Sequence, residues 1–172
     1  MRRILEVGPA INPMHHRHGE RLKDLEVEDR GVRLEEGEDY TALDQPIVDF
    51  KHRIWQVAKE TYGERIHFVH GNRINMPFED ESFDELVALG SYIDDGKIIS
   101  EFKRVLKPGG ILRMGVPVPS VEEFMAFWGL RLGRIGFTLL EDHTQKYEYS
   151  QTKGKVNGDY CVFVFRKEPL KV

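Results

Sequence analysis

The sequence predicts an α/β protein with a seven-stranded, mostly parallel sheet and helices on both faces. Through the first five predicted strands, short apolar runs alternate with segments whose apolar residues recur every three or four positions. Strands that alternate with helices are joined by right-handed crossovers, which make the sheet parallel and cover both of its faces. The last two apolar runs are separated by a polar, glycine-containing stretch instead of a helix. We therefore expect the last strand to be antiparallel.

The elements follow one another in a regular order. The predicted strands cover residues 3–7, 40–43, 66–69, 83–89, 111–116, 137–140 and 160–165. The predicted helices cover residues 47–62, 98–106 and 121–134, each with one apolar face. Pro108-Gly109-Gly110 is expected to stop the second helix. Gly154, Asn157 and Gly158 are expected to form the turn between the last two strands.

The composition is that of one ordinary globular domain over residues 1–172, with 40% hydrophobic and 31% charged residues. A net charge of −4 argues against a nucleic-acid partner. No run approaches the roughly 20 apolar residues that span a bilayer, so we expect a cytoplasmic protein without a membrane partner. The single cysteine, Cys161, excludes an internal disulfide and is expected to be a small buried hydrophobe.

Polar residues and glycines follow the first four predicted strands. Ligands of parallel α/β sheets bind outside the carboxyl ends of the strands, at the point where the strand order reverses. We therefore expect these residues to gather at one edge of the sheet. They are Glu6, Gly8 and Ala10 at the first strand, Asp44 at the second, Asn72 and Arg73 at the third, and Gly90 and Tyr92 at the fourth.

Three stretches of this chain resemble a known family. They are "ILEVGPA", "HFVHGNRINMPFEDESFDELVALGSY" and "EFKRVLKPGGILRMGVP", and the resemblance covers about residues 3–119. The chain is similar to the class I S-adenosylmethionine-dependent methyltransferases, which have a Rossmann-like fold. The resemblance implies S-adenosylmethionine as cofactor and methyl transfer to an acceptor that the sequence does not identify. The family's usual amino-terminal cap has no counterpart before the first strand, so we expect an open site or one completed by a partner, such as a homodimer.

The resemblance also implies a role for the residues at the first two strand ends. Glu6 would lie near the amino group of the cofactor's methionine portion. Gly8, which has no Cβ, would let the backbone approach the cofactor, and Ala10 stands where the family has a further glycine. Asp44 would accept hydrogen bonds from both ribose hydroxyls, because an ionised carboxylate offers two acceptor oxygens.

The resemblance also implies roles for the residues at the third and fourth strand ends. Asn72 would bind the adenine amino group, and Arg73 or Ile74 would line the adenine pocket. Gly90 would lie beside the methionine end of the cofactor. Tyr92 would contact the substrate near the transferred methyl group.

Four of these residues also have a purely structural interpretation. Glu6 and Gly8 could simply be a strand end and a turn. Asp44 precedes Gln45-Pro46 and is a suitable helix N-cap, and Asn72 is a common turn residue. Three other acids compete for the ribose role, namely Glu26, Glu28 and Asp29. We prefer Asp44, because strand, acid, helix and third strand then follow in register.

The stretch "PMHHRHGE" has three interpretations. His15, His16 and His18 could bind a transition metal, with His143 as a distant fourth ligand. They could form a solvated loop beside the cofactor, or His15 or His16 could take a proton from a substrate. Together with Ala10, this stretch leaves two alternatives to an active methyltransferase: a catalytically inactive methyltransferase-like binding module and a metal-binding protein.

Overall fold

The computed structural model describes residues 1–8, 34–45, 53–89, 95–117, 121–151 and 154–169. The strands are β1 (Arg2–Val7), β2 (Glu38–Asp44), β3 (Ile66–His70), β4 (Phe83–Leu89), β5 (Leu106–Pro117), β6 (Phe137–Gln151) and β7 (Gly154–Lys167). The helices are α1 (Arg53–Tyr62), α2 (Gly96–Val105), α3 (Val121–Phe124) and α4 (Leu130–Arg134). A 3-10 turn (Gly63–Arg65) follows α1, and a π-helical turn (Met125–Gly129) joins α3 to α4.

The seven strands form one sheet in the order β3-β2-β1-β4-β5-β7-β6. The first five strands pair in parallel, and β7 runs antiparallel to both β5 and β6. The predicted mostly parallel sheet with an antiparallel last strand is therefore confirmed. The chain passes from β1 to β2 on one side, whereas β4 pairs with the other side of β1. The strand order thus reverses at β1, which is where a ligand site is expected.

Apolar side chains pack on both faces of the sheet. On one face, α2 buries Ile98, Phe102 and Val105 in the same cluster as Leu132 of α4. On the other face, α1 buries Trp55 in a second cluster. The first cluster confirms the predicted apolar face of α2. In α1, Ala58 of the predicted face is buried, but the largest buried side chain is Trp55, which the prediction did not assign to that face. Cys161 is buried as expected. None of the helices in the described ranges is long and apolar enough to cross a membrane.

The Pro-Gly-Gly stop differs from its prediction. We expected a helix, a turn and then a strand, but β5 begins at Leu106, directly after α2. Leu106 pairs with Phe83 of β4, and the next paired residues are Ile111 and Glu85. Residues 107–110 therefore form a bulge inside the strand, where Gly109 has φ of +79°. The turn exists, but pairing with β4 starts before it.

The last two strands are much longer than predicted. The hairpin pairs Phe137 with Lys167 at one end and Gln151 with Gly154 at the other. Asn157 and Gly158, expected in a turn, lie inside β7. Antiparallel pairing uses only main-chain groups and so does not require apolar side chains. The predicted strands followed the apolar runs and therefore missed the polar half of the hairpin.

A buried carboxylate lies toward the amino ends of the strands. Glu85 of β4 has 1% of its side chain exposed and accepts a hydrogen bond of 2.7 Å from Arg113 Nε. Arg2 also donates to Glu85, and its other nitrogen lies 3.0 Å from Glu38 Oε1. Burying a charge is costly unless it is paired, so these arginines make the buried glutamate tolerable. This network stabilises the edge opposite the candidate site.

Candidate functional site

The carboxyl ends of β1, β2 and β3 are tied together by main-chain hydrogen bonds. Gly8 N–H donates to the Leu43 carbonyl at 2.8 Å, and Gly71 N–H donates to the Asp44 carbonyl at 2.9 Å. Gly8 has φ of +71°, a conformation that side chains with a Cβ rarely adopt. A Cβ on Gly71 would lie only 2.8 Å from Leu43 Cδ1. Glycine therefore suits Gly8 because of its backbone conformation, and Gly71 because a Cβ there would displace the Leu43 side chain.

The two acids predicted at the first strand ends lie on the same face of the sheet. Glu6 of β1 pairs with Ala42 of β2, and Asp44 lies two residues further along β2. Side chains two residues apart on a strand point to the same face, which places Asp44 on the face of Glu6. Strand spacing and rise put their Cα atoms about 8 Å apart. Glu6 and Asp44 thus lie on one face of the sheet near the point where the strand order reverses.

Glu6 is held by a specific partner. Its side chain is buried, with only 1% exposed, and Tyr40 Oη donates to its Oε2 at 2.5 Å. Asp44 is partly exposed, and its Oδ1 accepts the N–H of Gln45 at 2.8 Å. The predicted start of the helix that Asp44 was expected to cap, at residues 46–47, falls outside the described residues, so this capping role stays a prediction. Tyr40 was not predicted as part of the site.

Asn72 and Arg73 lie in the segment between β3 and β4. The Asn72 side-chain oxygen accepts the N–H of Ile74 at 3.0 Å, and its carbonyl accepts the N–H of Asn75 at 3.0 Å. Asn72 therefore closes a tight turn, as its structural interpretation expected. The turn lies just beyond β3, and 38% of the apolar Ile74 is exposed beside it. An exposed apolar side chain next to a polar turn suits the flat face and polar rim of a nucleobase.

An arginine that the sequence did not single out fixes the rest of this segment. Arg104 of α2 donates to the carbonyls of Met76 and Phe78 at 3.0 and 2.7 Å, and to Asp80 Oδ1 at 2.8 Å. It also donates twice to Glu101, each time at 2.8 Å. Glu101 in turn accepts the Met76 N–H at 2.7 Å. Both residues belong to "EFKRVLKPGG", so this stretch anchors the β3–β4 segment to α2.

The Arg104 guanidinium, which donates two hydrogen bonds to Glu101, holds the pKa of that carboxyl below its ordinary value. A carboxyl whose pKa is lower in the folded state stabilises the fold above its unfolded pKa and loses that contribution as the pH falls through its folded pKa. We therefore expect Glu101→Gln to be less stable than the unchanged protein at neutral pH. The difference should shrink below about pH 4.3, the ordinary pKa of a glutamate. Urea unfolding at several pH values measures it.

Glu79→Gln is the matched control for this pH prediction. Glu79 is exposed in the same segment, and its carbonyl rather than its carboxylate accepts a hydrogen bond, from Ser82. Its substitution should leave the pH dependence of unfolding unchanged. Parallel stability curves for Glu101→Gln and the unchanged protein would contradict the assigned role of the Glu101–Arg104 pair.

Several predicted residues lie outside the described part of the chain, so their roles stay predictions. They are Ala10, His15, His16, His18, Glu26, Glu28, Asp29, Gly90 and Tyr92. His143 lies in β6, where its backbone pairs with Val162. The described segments bring together the ends of the first three strands, with Glu6, Gly8, Asp44, Asn72 and Arg73.

These features define a Rossmann-like protein whose ligand edge carries paired acids and a glycine turn. A family model described as a methyltransferase domain matches residues 38–114. The chain is 40% identical over 70 residues to a demethylmenaquinone methyltransferase of Staphylococcus haemolyticus, covering 38% of this chain and 29% of that relative. Residues 38–114 of this chain are therefore similar to a methyltransferase domain. The matched stretches span only 29% to 37% of the length of the curated relatives.

Solved structures share the fold over nearly the whole chain. The YcgJ protein of Bacillus subtilis superposes with a TM-score of 0.62 at 13% identity, covering 98% of this chain and 92% of that chain. The TYW2 protein of P. horikoshii, solved in complex with MeSAdo, superposes with a TM-score of 0.60 at 12% identity. That match covers 98% of this chain and 58% of the other. At such identities the likeness establishes the fold alone.

Proposed function

We propose that this protein binds S-adenosylmethionine at the carboxyl edge of its sheet and transfers the methyl group to an acceptor. The observation that carries the proposal is the pair Glu6 and Asp44 on one face at the reversal of the strand order. The Asn72 turn lies beyond the neighbouring strand, β3. An elongated ligand with an amino group, a ribose and a base has a suitable polar partner at each of these three places.

Each chemical group of the cofactor finds a matching side chain. Asp44 accepts both ribose hydroxyls, and its charge strengthens those hydrogen bonds. The Asn72 side-chain oxygen has two lone pairs. One accepts the Ile74 N–H, and the second suits the amino group of adenine. Glu6 attracts the ammonium group at the opposite end of the ligand.

When bound, the cofactor supplies an electrophilic methyl group on a sulfonium centre. The protein's residues contribute by holding the ligand at both ends, so that the methyl group faces the acceptor in a fixed direction. Alignment and exclusion of water account for much of the acceleration in such transfers. A strong general base is therefore not required of the described residues. Tyr92, His15 and His16 stay candidates for contacts with the acceptor.

The acceptor itself is a matter for assay. The name of the Staphylococcus haemolyticus relative makes a demethylated quinone the first compound to test. The net charge of −4 disfavours a nucleic-acid acceptor. The cytoplasmic location and the homodimer also stay predictions.

Calorimetry with S-adenosylmethionine and S-adenosylhomocysteine tests the proposal. We expect saturable binding of both ligands. Absence of heat at millimolar ligand, with protein shown to be folded by circular dichroism, would contradict it. Transfer of a radiolabelled methyl group to an acceptor from a compound library would then establish turnover.

A catalytically inactive binding module is the second candidate function. It is favoured by Ala10, which stands where the family has a glycine and adds a Cβ to the cofactor turn. Binding of S-adenosylhomocysteine without methyl transfer to any acceptor class would support this candidate. Ala10→Gly provides the matched comparison, because it should raise affinity only if the Cβ obstructs the cofactor. Metal analysis of untagged protein tests the histidine-loop alternative.

A further inference from the structure

The structure assigns Tyr40 as the positioning residue that sets the orientation of Glu6, and so the affinity for the amino-acid end of the cofactor. This inference rests on the proposed function, since it concerns the same site. It starts from the buried hydrogen bond of 2.5 Å between Tyr40 Oη and Glu6 Oε2. Tyr40 is fully buried, and Glu6 is 1% exposed.

Tyr40 cannot turn away from Glu6 easily, because its ring is packed. The Trp55 ring stacks on it with centroids 6.4 Å apart and planes 29° apart. Phe68 of β3 packs edge-on against Trp55 at 5.4 Å. This aromatic column (Phe68, Trp55 and Tyr40) runs from β3 through α1 to β2 and ends at the carboxylate of Glu6. Such aromatic contacts favour defined ring geometries.

A hydroxyl donor in a fixed place determines how the carboxylate lies. An ionised carboxylate only accepts hydrogen bonds, and its two oxygens offer about four lone-pair positions. The bond from Tyr40 occupies one of these positions and constrains the plane of the carboxylate. Without that bond, Glu6 keeps its charge but loses the alignment that a ligand ammonium group requires.

The inference predicts that loss of the hydroxyl affects one end of the ligand and spares the other. S-adenosylhomocysteine carries the amino-acid portion, whereas methylthioadenosine has the same adenosine without it. We expect Tyr40→Phe to weaken binding of S-adenosylhomocysteine about tenfold, as for a lost hydrogen bond to a charged group. The affinity for methylthioadenosine should change by less than about twofold, since no bond to that ligand depends on Glu6. Calorimetry with both ligands measures the two affinities.

Two further variants separate positioning from folding. Trp55→Phe keeps the Tyr40 hydroxyl but loosens the aromatic column that holds it. Its affinity loss should therefore be smaller than that of Tyr40→Phe, and larger for S-adenosylhomocysteine than for methylthioadenosine. In the Glu6→Gln background, Tyr40→Phe should cause much less additional loss of S-adenosylhomocysteine affinity, because its effect passes through the Glu6 carboxylate. Unfolding in urea shows whether each variant is folded at the assay temperature.

Each outcome decides the matter. A loss confined to S-adenosylhomocysteine supports the inference. Equal losses for both ligands, or no loss for either, overturn it while leaving the proposed function in place. If the unchanged protein binds neither ligand, the proposed function fails and the inference falls with it. If Tyr40→Phe is unfolded, Trp55→Phe decides, because it holds Tyr40 less firmly. A larger affinity loss for S-adenosylhomocysteine than for methylthioadenosine in that variant supports the inference, and equal losses overturn it.

Discussion

Replacing Arg104 by alanine is expected to lower the free energy of unfolding by about 3 kcal/mol. The guanidinium makes five hydrogen bonds, to two carbonyls, to Asp80 and twice to Glu101. Their loss leaves Glu101, which is largely buried, without its charged donor, and removes the anchor of the β3–β4 segment. Urea unfolding followed by circular dichroism measures the change.

Two control variants test the origin of this effect. Lys103→Ala removes a neighbouring cation from the same helix that makes none of these five hydrogen bonds. It should change the free energy of unfolding by less than about 0.5 kcal/mol. Arg104→Lys keeps the charge but not the planar fork of donors, and should recover only part of the loss. Full stability in Arg104→Lys would show that charge alone matters. An unchanged free energy of unfolding in Arg104→Ala would contradict the anchoring role of Arg104.

Replacing Asp44 by alanine is expected to weaken binding of S-adenosylhomocysteine by about 1–3 kcal/mol, roughly five- to 150-fold. The reason is that Asp44 ends β2 on the face of Glu6, where the ribose of an extended cofactor would lie. Loss of the charged acceptor would remove the hydrogen bonds that we propose between Asp44 and both ribose hydroxyls. Calorimetry on the folded variant measures the affinity.

Asp39→Ala is the matched control for this prediction. It makes the same substitution on the same strand but near its amino end, where the backbone of Asp39 lies opposite that of Arg3 in β1. Its affinity for S-adenosylhomocysteine should stay unchanged. If Asp44→Ala binds as tightly as the unchanged protein, the ribose acid is another residue. Glu26→Ala, Glu28→Ala and Asp29→Ala then identify it.

Much of the fold was predictable because apolar periodicity reports burial directly. The bounds of β4 agree with the prediction at both ends. The apolar face of α2 was predicted from Ile98, Phe102 and Val105, which are buried together. These elements are buried on one or both faces, so their side chains must follow the period of the strand or helix.

The candidate site was predictable only in part. Strand-end residues such as Glu6, Asp44 and Asn72 could be found, because topology places the carboxyl ends of parallel strands at one edge. Tyr40 and Arg104 could not, since their partners are distant in sequence: Tyr40 binds a residue 34 positions away, and Arg104 binds Met76 28 positions away. A tyrosine in a buried strand and an arginine on a helix carry no local sign of such roles.

The sequence by itself determined the fold class, the antiparallel end of the sheet and the edge at which the polar strand-end residues gather. It did so because hydrophobic periodicity and strand-end chemistry are local properties of the chain. Only the tertiary structure decided which residues orient the site: Tyr40 against Glu6, and Arg104 against the β3–β4 segment. It also decided that the last hairpin continues through polar residues. These features depend on pairing between distant segments, and neither main-chain ladders nor buried hydrogen bonds leave a periodic pattern in the sequence.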